Sequence, residues 1–153
     1  MITADRSTVD GDLPFVDSHS VIVSAPAPAV WRALGSWFGR RRRVAGAYAR
    51  LVAADPRRAS GRLFDKGATV VGFEVTEAEP ERWVRLTGRH RFSRYALVFT
   101  VTPSPDGTLL SAQTYAEFPG LLGSVYRRVV IGSGGHRVLV GRMLRTIRDR
   151  SEA

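Results

Sequence analysis

Residues 120–150 carry a largely apolar stripe at steps of three and four: Leu122, Tyr126, Val129, Gly132 or Ser133, His136, Val140, Met143 and Ile147. That spacing makes one face of a long helix, and such a face must be buried against something. The stretch "VVIGSGGHRVLV" (129–140) sits inside it. Alone, it reads as a strand, a phosphate-binding loop and the start of a helix. A βαβ unit needs another strand afterwards, and only "DRSEA" follows Arg148. The Lys–Ser/Thr pair of a P-loop is absent as well. The segment therefore reads as one amphipathic helix, softened at Gly132, Gly134 and Gly135. Each glycine costs roughly 0.5–1 kcal/mol against alanine, so a kink or local unwinding is expected there.

Upstream runs supply what this helix packs on. "FVDSHSVIVSAP" (15–26) suits a strand. "PAPAVWRALGSWF" (26–38) suits a helix with proline in its first turn. Four strand-like runs follow, at 68–79, 82–92, 94–103 and 108–119. Their short links predict an antiparallel meander. Weaker strands are read at 47–54 and 61–65. Residues 1–13 read as a loose tail and 14–150 as one domain. The expected architecture is α+β: a curved antiparallel sheet of about six to seven strands gripping a long C-terminal helix, with one or two short helices after the first strand.

Charge and composition narrow the function classes. The chain has no cysteine, which excludes disulfides, thiolate metal sites and a cysteine nucleophile. The polar opening reads neither as a signal peptide nor as a membrane span, and the expected location is the cytoplasm. The net charge is +9, and Lys66 is the only lysine. This favours contact with anions, with "RRRR" at 40–43 read as a solvated loop near a pocket mouth. That loop lacks the interleaved aromatics of a single-strand reader.

Strand parity selects the inward residues. Phe73 and Val75 share a face, as do Leu86 and His90, and Tyr95, Leu97 and Phe99. On the first strand, Asp17 and His19 face the same way. With Tyr126, Val129, His136 and Val140 of the last helix, His19 and these inward residues are the expected pocket lining. His90, His136, Tyr95 and Tyr126 are the candidate acid/base or anchoring groups. Asp17, Ser18, His19 and Ser20 contain triad residue types, but neighbours in a strand point opposite ways. The histidine spacing carries no metal signature, so neither metal nor cofactor is expected.

"VIVSAPAPAVWRAL" (21–34), "FDKGATVVGFEVTEAEPERWVRLTG" (64–88) and "FPGLLGSVYRRVV" with His136 resemble, in that order, segments of the START-like helix-grip superfamily, the SRPBCC or polyketide-cyclase-like group. The resemblance implies an elongated cavity between sheet and last helix. It implies binding of a hydrophobic or aromatic small molecule such as a lipid, a quinone or a polyketide. The alternatives are an aromatase/cyclase-type enzyme and a basic-surface module for RNA or anionic partners, in a monomer or homodimer.

Overall fold

The computed structural model describes residues 13–40, 61, 64–70 and 72–153. Six strands form one antiparallel sheet: β1 (Phe15–Val23), β2 (Thr69–Val70), β3 (Phe73–Glu79), β4 (Trp83–His90), β5 (Ser93–Ser104) and β6 (Gly107–Glu117). Their order across the sheet is β1-β6-β5-β4-β3-β2, so a meander runs from β2 to β6 and β1 covers the β6 edge. Helix α1 (Ala27–Arg40) follows β1. Helix α2 (Gly120–Arg127), a π turn (Arg128–Gly132) and α3 (Gly135–Glu152) end the chain. The fold is the expected α+β arrangement, with six strands among the described residues. The strand read at 47–54 lies outside them, as do residues 1–12. The strand read at 61–65 lies partly outside, and beside it the Ala68 N–H closes a turn on the Asp65 carbonyl at 2.9 Å.

Alternation decides which sheet face is filled. On β6, Thr108, Leu110, Ala112, Thr114 and Ala116 are buried and their neighbours are not. On β4 the buried pair is Val84 and Leu86. Helix α3 lays Val140, Met143, Leu144 and Ile147 onto this side, packing on α1, β1 and β6. Phe38 of α1 sets its ring edge-on to Phe99 at 5.7 Å and to Phe73 at 6.2 Å. Such pairs add about 0.5–1.5 kcal/mol each beyond their buried area.

Two runs read as continuous are broken. The 68–79 run folds back at Gly72, whose φ of 85° suits glycine, so that Val70 pairs with Phe73. The last helix breaks as expected near its glycines. The π turn comes first, then Gly134 at φ 77°, from which α3 starts again. The Ser133 hydroxyl donates back to the Val129 carbonyl across this break.

Gly88 holds the inner face of β4 tight. It stands opposite Tyr95 of β5, whose hydroxyl donates to the Gly72 carbonyl at 2.6 Å. A β-carbon at position 88 would overlap the Gly72 oxygen and lie 2.8 Å from the Tyr95 ring. Overpacking of this kind costs typically 1–3 kcal/mol. Gly88→Ala is therefore expected to destabilise the chain by about 2 kcal/mol in denaturant melts, whereas Gly39→Ala, with open space around it, is expected to be neutral or stabilising.

Candidate functional site

The sheet and its closing helices part company at one end. Around α3's C-terminal half the core is filled, and Ile147 is fully buried. Toward its N-terminal half lies a cavity of about 230 Å³. Phe73, His90, Ser93, Tyr95, Leu97, Thr114, Ala116 and Phe118 form its sheet side. Trp37 and Phe38 close it from α1. Tyr126, Val130, Ile131, His136, Leu139, Val140 and Met143 cover it from the last helical run. The wall is largely apolar, with a few convergent polar groups, the usual composition of a small-molecule site.

Local sequence explains how each part is held. Gly123 lets α2 approach closely: a β-carbon there would stand 2.7 Å from the Phe118 carbonyl carbon and 3.2 Å from the Phe92 oxygen. This approach seats Tyr126 against Phe92 at 5.2 Å, stacked, and against His90 at 4.9 Å, edge-on. Tyr95 closes the aromatic group, 5.5 Å from His90 and 5.1 Å from Phe73.

The electrostatics of His90 follow from this packing. The Phe92 backbone N–H donates to Nδ1 at 3.1 Å. Nδ1 is thus the acceptor, and the proton of the neutral ring sits on Nε2. Burial among aromatic rings pushes the His90 pKa below its ordinary value.

A second polar group joins the two ends of the chain. His136 Nε2 lies 3.3 Å from Asp17 Oδ1 and 3.1 Å from Thr114 Oγ1. The other Asp17 oxygen accepts from His19 Nε2 at 3.1 Å. A carboxylate can only accept, so Nε2 of His136 carries a proton and a neutral ring keeps its lone pair on Nδ1. One carboxylate therefore fixes two imidazoles, and one of these, His136, borders the cavity. Among the described residues no three His, Asp or Glu side chains are grouped to hold a metal ion.

Seven residues expected from the sequence border the cavity: Phe73, His90, Tyr95, Leu97, Tyr126, His136 and Val140. Five do not. Val75, Leu86 and Phe99 face the right way but are fully buried in packed core, because Phe38 and its neighbours fill that half of the sheet. His19 is turned to Asp17. Val129 is 64% exposed, and Leu122 of the same stripe is 70% exposed. Leu122 is already on the outer side of α2 before the π turn, and Val129 follows the exposed Val125 by four residues, so Val130 and Ile131 line the cavity in its place. Thr114 and Ala116 border the cavity too, and period-two alternation along β6 is the signal that puts them on the inner face. Asp17 was not legible in this way, since its partner is 119 residues away.

The family described as "Polyketide cyclase / dehydrase and lipid transport" matches residues 17–151 by its sequence profile. No curated protein matches the chain. Among solved structures, a conserved protein from Geobacillus kaustophilus is similar at 17% identity and a TM-score of 0.56, over 88% of this chain and 93% of that one. The Mll3558 protein from Rhizobium loti is similar at 19% identity and 0.56, over 85% and 94%. Protein BH1534 from Bacillus halodurans is similar at 16% and 0.56, over 89% and 97%. At these identities the likeness shows the fold.

The lowered pKa of His90 has a consequence for stability. The folded state resists protonating His90 more than the unfolded chain does, whose histidine titrates near about 6.5. This group's contribution is thus complete above about 6.5 and is lost as pH falls below it. Denaturant melts at pH 5 and pH 7 are expected to show the wild type losing more stability on acidification than His90→Phe. An equal loss in both proteins would contradict the assignment.

Proposed function

We propose that this chain, which belongs to the polyketide cyclase/dehydrase and lipid transport family, binds a hydrophobic or aromatic small molecule in the cavity between its sheet and its last helical run. The observation that carries this reading is the composition of the wall. Phe38, Phe73, Tyr95, Phe118 and Tyr126 present rings, and Leu97, Val130, Ile131, Val140 and Met143 present aliphatic surface. Burying apolar ligand surface on such a wall contributes about 25 cal/mol per Å² before ordering costs. Polar selectivity comes from His90, whose Nδ1 is already engaged by the backbone. Its Nε2–H is the donor available to a ligand, which favours a guest carrying a carbonyl or quinone oxygen beside an apolar body.

A second reading rests on the pairing of Asp17 with His136. A carboxylate-held imidazole beside a cavity suits proton transfer, so the same cavity would assist cyclisation or dehydration of a polyketide-like chain. In that case Asp17→Asn and His136→Ala abolish conversion of a bound poly-ketone while leaving its uptake intact. Recovery of the bound compound unchanged from the wild type supports the binding reading.

Native mass spectrometry and thermal melts against fatty acids, quinones and polycyclic aromatic ketones test the proposal. At least one class is expected to raise the melting temperature and co-purify at one molecule per chain. Leu97→Trp, which fills the cavity from the sheet side, is expected to remove that shift by at least about tenfold in affinity without lowering the ligand-free melting temperature. Uptake undiminished by this variant would overturn the assignment of the site.

A further inference from the structure

We propose that the outer side of α2 and the π turn is a membrane-docking face, and that the surface it fits is a bilayer containing anionic lipid. Leu121 is 87% exposed, Leu122 70%, Val125 59% and Val129 64%. They recur at steps of three and four, so they share one side of the helix. A lone exposed leucine needs no explanation, but a row of four along α2 and the π turn does.

The charge around this row decides its occupant. Arg127 and Arg128 are exposed and, among the described residues, in no ion pair. From Phe118 to Ile147 the sequence contains no Asp or Glu, while Arg137, Arg142 and Arg145 add to the positive charge. An aliphatic row flanked by guanidinium groups is the composition of a helix that lies in the headgroup layer, its apolar side sunk and its cations on lipid phosphates. A second copy of this chain fits less well, because it would set like charge against like charge in a protein of net charge +9. RNA would use the arginines but leave the aliphatic row unburied. No helix among the described residues is long and apolar enough to cross a membrane, so this face lies on the bilayer. Its reverse side, through Tyr126, Val130 and Ile131, covers the cavity. Docking therefore brings the cavity's cover into contact with the lipid phase.

Sedimentation of the full chain with vesicles tests this, using phosphatidylcholine alone against equal parts phosphatidylcholine and phosphatidylglycerol. The chain is expected to bind the mixed vesicles at least about tenfold more tightly, and to release as salt is raised. The double variants Leu121→Ser/Leu122→Ser and Arg127→Glu/Arg128→Glu are each expected to weaken binding by about tenfold or more, with unchanged melting temperature because all four side chains are exposed. Vesicle binding unaffected by the serine pair would overturn the proposal. So would a dimer that this pair dissociates while the wild type ignores vesicles, or RNA binding indifferent to the serine pair in a chain that ignores vesicles. Leu121, Leu122, Arg127 and Arg128 do not line the cavity, so failure here leaves the cavity reading standing, and failed ligand uptake leaves this one standing.

Discussion

The burial of α3 on the inner face of the sheet is the interaction on which the rest depends. Val140, Met143, Leu144 and Ile147 place one side of the helix against α1, β1 and β6. This seals the core at the helix's C-terminal half. The N-terminal half is not drawn down in the same way. His136 is held by Asp17 and Thr114, and the π turn and Gly134 redirect the chain before it. The sheet keeps its width while the helix run above it stands off, and the cavity is the space between.

That geometry separates two kinds of inward-facing residue. Val75, Val84, Leu86, Phe99 and Leu110 face in beneath α1 and the end of α3 and are packed out. Phe73, Tyr95, Leu97, Thr114 and Ala116 face in farther along and meet the cavity. The polar groups are placed with the same economy. His90 gives one nitrogen to the backbone, and Tyr95 gives its hydroxyl to Gly72. Buried polar atoms are thereby satisfied within the wall, as a low-dielectric interior requires. What is left for a guest is aromatic surface and few donors.

Much of this was legible in the sequence. Period-two alternation assigned the inner faces of β4 and β5 correctly, because each strand is covered on that side. The three-and-four spacing identified the closing helix across its glycines, and those glycines marked where it breaks. Three things escaped. Gly72 turned one expected strand into two, since alternation does not register a left-handed residue in its midst. Val129 lies outside with Leu122 and Val125 while Tyr126, Val130 and Ile131 line the cavity, because the stripe Leu122–Tyr126–Val129 straddles the boundary between the covered and the open side of α2. Parity also cannot say where along a face the packing stops. Phe99 and Leu97 are equivalent on β5, yet only Leu97 borders open space, a distinction made by Phe38 from a different element.

The central claim is a hollow that accepts an apolar guest. Methyl NMR under xenon pressure tests it most directly, because xenon enters dry apolar cavities whatever their natural ligand. The account predicts saturable shifts at the methyls of Leu97, Val130, Ile131, Val140 and Met143, with Val84, Leu86 and Leu110 unmoved. Silent methyls at Leu97 and Val140, or shifts spread evenly through the packed core, would contradict it.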